Sequence, residues 1–190
     1  MARIRTFLAI DLGEKIRNRL VSLQEELALD VPEVKWVEPD NLHLTLLFLG
    51  EVDQRELIDI CRATQKAIEA LPAFAVSIDG TGCFPNARRP RVLWAGIGQG
   101  LHEVCEVHDA IEEPLLDLGC YRREARAFTP HVTLGRVKSD EPTDVIAQAL
   151  AKQQTWSAGE VVVREVRVMS SELTRHVPTY SVLSRAKLAT

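Results

Sequence analysis

The chain has 190 residues, of which 46% are hydrophobic and 26% charged, and a net charge of −4. This length can bury a sizeable core, and the composition excludes disordered and fibrous classes. No apolar run approaches the ~20 residues of a membrane span, and the acidic balance excludes a protein that coats polynucleotide through its phosphates, though not a small site that captures one phosphate.

Arg5–Ile10 reads as a strand; its apolar run stops at Asp11 and lacks the small-residue cleavage site of a signal peptide. From Glu14, the spacing of Ile16, Leu20, Leu23 and Leu27 predicts a helix. A connector with a short extended piece around Trp36 leads to Leu42–Leu49, an apolar strand ended by Gly50. Asp53–Leu71 is predicted as a helix, striped by Leu57, Cys61, Thr64, Ile68 and Leu71 and stopped by Pro72. Phe74–Cys83 alternates like a half-buried strand, "FPNARRP" is a loop, and Arg91–Ile97 is the next strand. Leu101–Leu118 is a second long helix ending at Gly119, with His108 on its apolar stripe as a core residue. His131–Val137 then reads as a strand and Thr143–Lys152 as a helix. Val161–Met169 and Thr179–Lys187 read as strands, with His176 in a turn before the last.

This order, with no G-x-G-x-x-G or phosphate loop after any strand, predicts an α+β fold of mostly antiparallel sheets with helices on their outer faces. No Pro-, Gly- or Ser-rich linker divides the chain, so residues 1–190 read as one unit. Cys61, Cys83, Cys105 and Cys120 lack C-x-x-C spacing and read as reduced thiols of a cytoplasmic protein.

Two short segments stand apart. "NLHLTLLFLG" places His43 two residues before Thr45, and "FTPHVTLGR" places His131 two residues before Thr133, each threonine followed by leucine. Residues i and i+2 of a strand share a face, so each segment presents an imidazole beside a hydroxyl. A lone H-x-T is an ordinary polar pair in a strand; the doubling is the signal. If the two strands are related neighbours in two halves of the sheet system, the four groups converge on a cleft of phosphate size. One neutral and one protonated imidazole can then act as base and acid on opposite sides of phosphorus, while the hydroxyls donate to the non-bridging oxygens. No metal or cofactor is expected, because two histidines without a neighbouring carboxylate make a poor zinc site.

Arg136 is a candidate phosphate ligand that strict alternation places on the face opposite His131, unless a bulge at Gly135 re-aims it. Arg88, Arg89 and Arg91, and Arg122, Arg123 and Arg126, form two basic loops that fit either solvated charge or contact with a polynucleotide backbone.

"NLHLTLLFLGEV", "FPNARRPRVLWAGI" and "FTPHVTLGRV", with the opening "RTFLAIDL" and the closing "SSELTRHVPTYSVL", resemble the signature segments of the RNA 2′,3′-cyclic phosphodiesterase family. That family, also called 2′-5′ RNA ligase, belongs to the two-histidine phosphoesterase superfamily. The resemblance implies a bilobal fold with pseudo-twofold symmetry and both motifs facing a central cleft. It implies hydrolysis of an RNA 2′,3′-cyclic phosphate end to a 2′-phosphate, and a reverse 2′-5′ ligation in which a ribose 5′-hydroxyl replaces water and is joined to the cyclic end. It makes His43 the proton donor and His131 the proton acceptor, with Thr45, Thr133 and Arg136 on the phosphate. Gly135 stands where many members carry alanine. A cytoplasmic monomer acting on RNA, with no membrane or metal partner, is the expectation. The motifs see only the phosphate, so three rivals stay open: a superfamily enzyme acting on a small cyclic nucleotide, a module that binds a phosphate or RNA end without turnover, and covalent phosphohistidine chemistry.

Overall fold

The computed structural model describes residues 2–31, 33–123, 125–138, 144–174 and 177–190. In chain order the elements are β1 (Arg3–Ile10), α1 (Gly13–Asp30), β2 (Val34–Trp36), a 3-10 turn (Pro39–Asn41), β3 (Leu44–Asp53), α2 (Leu57–Ile68), β4 (Phe74–Phe84), β5 (Val92–Ile97), α3 (Leu101–Asp117), β6 (Val132–Val137), α4 (Asp144–Lys152), β7 (Ser157–Val163), β8 (Glu165–Thr174) and β9 (Val177–Lys187).

The α+β class is as expected, and the strand pairs are antiparallel. The two anticipated sheets are joined. Among the described residues the strands form one nine-stranded sheet in the order β7-β4-β5-β6-β3-β1-β8-β9, with β2 also on β6. The junction is narrow, because β3 and β6 share only the pair Leu44–Val132. Farther along that edge of β6, Gly135, Arg136 and Val137 pair with Trp36, Lys35 and Val34 of β2. A half-sheet β3-β1-β8-β9 therefore meets a half-sheet β6-β5-β4-β7, and the two histidine motifs lie at the seam.

The helices are exchanged between the halves. Helix α1 leaves β1 of the first half-sheet, yet packs against β7 and α4 of the second. Lys152 Nζ to Asp30 Oδ2, at 2.9 Å, and Gln153 to Glu26, at 3.1 Å, tie α4 to α1. Conversely, α3 leaves β5 of the second half-sheet and packs against α2 and β3, while α2 packs on β9. Leu20 and Leu23 of α1 and Ile111 and Leu115 of α3 are fully buried by these contacts. No helix among the described residues is long and apolar enough to cross a membrane.

Several boundaries differ from the sequence reading. Val161–Met169 is not one strand: β7 ends at Val163, β8 starts at Glu165, and they pair with β4 and with β1 and β9 in opposite halves. Continuous apolar character hides this break, since both strands bury one face. Helix α2 starts at Leu57 because Asp53–Glu56 closes a turn on its own side chains: Asp53 Oδ1 accepts the Arg55 amide at 3.0 Å, and Glu56 Oε2 accepts the Asp53 amide at 2.9 Å. Thr143 and His176 lie outside the described residues.

Gly135 has a structural reason. A Cβ built there would lie 2.5 Å from Val34 Cγ1 and 3.0 Å from Trp36 Cε3. Glycine thus admits the close approach of β2 to β6. Gly135→Ala is expected to lower stability by about 1–3 kcal/mol through this overpacking. Urea unfolding checks it: the midpoint falls with the m-value unchanged.

Candidate active site at the seam of the half-sheets

The site follows from the register of one pair. Leu44 opposite Val132, in antiparallel sense, sets His43 across from Thr133 and Thr45 across from His131. All four alternate with the buried Leu44 and Val132 and share the opposite face.

Bulges decide what joins them. Between Thr45 and Leu47, β3 carries Leu46 as an extra residue, since Ala9 pairs with Thr45 and Leu8 with Leu47. An extra residue shifts the alternation by one, so Phe48 rather than Leu47 turns to the face of His43 and Thr45. Accordingly Phe48 is 53% exposed, whereas Leu47 is buried. In β6, Trp94 pairs with Thr133 and Leu93 with Gly135, leaving Leu134 as the extra residue. Arg136 thereby joins the face of His131 and Thr133, and strict alternation fails here. The bulge is held from behind: the buried Gln24 of α1 donates to Leu134 O at 2.8 Å and to Val37 O at 2.9 Å, and the Val37 amide also donates to Leu134 O.

Both imidazoles are anchored alike. His43 Nδ1 lies 2.7 Å from Asn41 O, and His131 Nδ1 lies 2.7 Å from Thr129 O. A carbonyl only accepts, so each Nδ1 carries a proton and each Nε2 is left to exchange one. The Thr45 hydroxyl lies 2.9 Å from His43 Nε2 and donates to it while the ring is neutral. Each ring is also wedged by two aromatics from its own half-sheet. Phe7 stacks on His43 at 5.0 Å and Tyr180 meets it edge-on at 5.4 Å. Phe84 meets His131 edge-on at 5.0 Å, with Trp94 at 6.4 Å. No local signal in the sequence marks these rings as histidine partners, although Phe7, Phe84, Trp94 and Tyr180 all fall within the resembling segments.

Burial pushes both imidazoles below their ordinary value of 6.5. Their anchoring carbonyls oppose this in both cases. Asp11 also pulls His43 upward, whereas Arg136 pushes His131 further down.

Two depressions of about 630 Å³ each open from the seam. One holds His43, Arg5, Lys35 and Tyr180; the other holds His131, Phe84, His108 and Arg126. Thr45, Phe48, Thr133 and Arg136 line both, so the cavities meet between the two histidine motifs. His108 is 7% exposed, as a core residue should be, yet it forms part of the cavity wall, stacked on Phe128 at 4.0 Å. Of the basic loops, Arg123 and Arg126 line the His131 cavity, and Arg123 is paired with Glu112 at 3.0 Å and Glu113 at 2.6 Å. The amides of Arg88 and Arg89 donate to Asn86 Oδ1 in a turn away from these cavities. The four cysteines are free thiols.

Residues 10–94 match the family model of LigT-like phosphoesterases. Over 94% of this chain and 96% of its own length, a protein from Methanothermobacter thermautotrophicus named RNA 2′,3′-cyclic phosphodiesterase is 34% identical. The chain belongs to the LigT-like RNA 2′,3′-cyclic phosphodiesterase family. A second such phosphodiesterase, from Archaeoglobus fulgidus, is 38% identical over 95% of this chain and 98% of its own. Among solved structures, a protein of Thermus thermophilus, TT0787, superposes with a TM-score of 0.82 at 29% identity, covering 97% of both chains. E. coli LigT complexed with 3′-AMP gives 0.77 at 27% identity, covering 98% of this phosphodiesterase-family chain and 99% of LigT.

The Arg136 charge has a measurable signature. Arg136→Ala removes a cation that disfavours imidazolium at His131, so the His131 titration midpoint moves up. NMR of the ring protons reads this directly; an unchanged or lowered midpoint contradicts the assigned geometry.

Proposed function

We propose that this phosphodiesterase opens the 2′,3′-cyclic phosphate at the end of a cytoplasmic RNA, leaving a 2′-phosphate, as a monomer and without a metal. The observation that carries the reading is the pair of carbonyl-anchored imidazoles on one face, each across the seam from the other's threonine.

The phosphate sits where the two cavities meet. Thr45, Thr133 and the Arg136 guanidinium donate to its non-bridging oxygens, where charge collects in the transition state. His131 Nε2 takes a proton from water as the oxygen attacks phosphorus. The bond to the 3′ oxygen breaks, and His43 Nε2 delivers its proton to that leaving oxygen. The charges around the rings favour this division of labour: Asp11 supports imidazolium at His43 and Arg136 supports neutral imidazole at His131. After one turnover the rings have exchanged protonation states and reset through solvent.

The cavity beside His131 is far larger than the ~30 Å³ a water occupies. A 5′-hydroxyl of a second RNA fits there in place of water, which yields 2′-5′ joining by the same proton transfers.

The test is incubation of a short RNA ending in a 2′,3′-cyclic phosphate, in EDTA. Wild type is expected to open the ring to the 2′-phosphate, and His43→Ala and His131→Ala to slow this by ~10²–10⁴ each. RNA that stays bound but unopened by wild type supports a binding module instead.

The pH dependence follows from the same pair. kcat/KM rises as His131 loses its proton and falls as His43 loses its own, and burial lowers both. A bell-shaped profile with its maximum on the acid side of 6.5 is therefore expected, and a flat profile from pH 5 to 9 overturns the acid-base pair.

A further inference from the structure

The His43 cavity does not end at His43. Phe7 packs on that ring, and Arg5 follows two residues along β1 on the same face, about 6.6 Å farther on at 3.3 Å per residue. The register carries Arg5 sideways as well: it stands opposite Ser171 of β8, which stands opposite Tyr180 of β9. Directly opposed residues share a face, so a guanidinium, a hydroxyl and a phenol form one row across three strands. All three line the cavity, and all three can donate hydrogen bonds.

No ion pair joins Arg5 to Glu51, its opposite number in β3, among the described residues. Arg136 enters the same cavity from the other half-sheet, and both guanidinium charges act on the Tyr180 phenol. Three cations, Arg5, Lys35 and Arg136, outnumber the two carboxylates of the lining, Glu38 and Glu51, so the cavity carries a positive excess that a bound anion offsets. The cyclic phosphate, held by Arg136 and the threonines, supplies one negative charge. A second donor row, one step farther from the reacting centre, calls for a second.

We propose that Arg5, with Ser171 and Tyr180, binds the phosphodiester immediately upstream of the cyclic phosphate, so that the enzyme selects polynucleotide ends over free cyclic nucleotides. This inference rests on reading the seam as the site of cyclic-phosphate opening. It separates RNA from the small cyclic nucleotides that the catalytic motifs alone cannot distinguish.

Three probes test it: adenosine 2′,3′-cyclic phosphate, the dinucleotide ApA ending in a 2′,3′-cyclic phosphate, and the same dinucleotide with an uncharged methylphosphonate linkage. For wild type, kcat/KM for the charged dinucleotide is expected to exceed that for the mononucleotide at least tenfold. That ratio should fall to within about threefold of unity in Arg5→Gln, and equally in wild type acting on the methylphosphonate, with Arg5→Lys retaining part of it. A wild-type ratio near one overturns the proposal, as does a ratio that Arg5→Gln leaves intact. If wild type opens none of the three rings, the parent reading of the site fails, a result distinct from an opened mononucleotide with no preference for the dinucleotide.

Discussion

The site depends on a single β-pair. Leu44 and Val132 are the only residues through which β3 and β6 pair among the described residues, and their register puts each histidine across from the other strand's threonine. A slip by one residue would send the imidazoles and hydroxyls into the core and bring Leu44 and Val132 to the cleft. The full burial of those two residues resists such a slip, because each would leave a packed apolar environment for water. Hydrophobic burial on one face thus positions the two imidazoles and two hydroxyls on the other.

The seam is narrow for a reason that the chain also uses. Strand β3 begins at Leu44 and β6 at Val132 and they run antiparallel from that pair, so they share no more, and β2 occupies the rest of the β6 edge at Gly135–Val137. Gly135 has no Cβ to obstruct β2, Leu134 is displaced as an extra residue, and Gln24 satisfies its carbonyl. Together these features turn the Arg136 side chain to the face of His131 and Thr133. On β3 the corresponding extra residue, Leu46, turns Phe48 to the same place. A pseudo-symmetric scaffold therefore carries an asymmetric pair, one guanidinium and one aromatic ring, three residues after the respective threonines.

Much of this is legible in the sequence. Local periodicity marks most helices and strands, and the doubled His-x-Thr pattern marks the four groups at the centre, because strand alternation is a local property. Arg136 is ambiguous there, since alternation argues against it and only the register with β5 reveals the bulge. The rings around the histidines come from β1, β4, β5 and β9, and nothing local couples Phe7 or Tyr180 to His43. The break at Arg164 is hidden because β7 and β8 are both apolar on one face, although they pair in different halves. The helical stripe identifies His108 as buried; its place in the cavity wall depends on Phe128, which the chain brings alongside only after α3.

The exchange of helices gives the molecule the form of a swapped dimer written in one chain. Each half-sheet closes its core with a helix that begins in the other, α1 on β7 and α3 on β3. Parting the halves would strip Leu20, Leu23, Ile111 and Leu115 of their cover, so the crossed helices act as two straps over a β3–β6 joint one residue pair wide. The separation of the two imidazoles is thereby tied to the packing of α1 and α3 across the seam, and α3 at the same time walls the cavity beside His131.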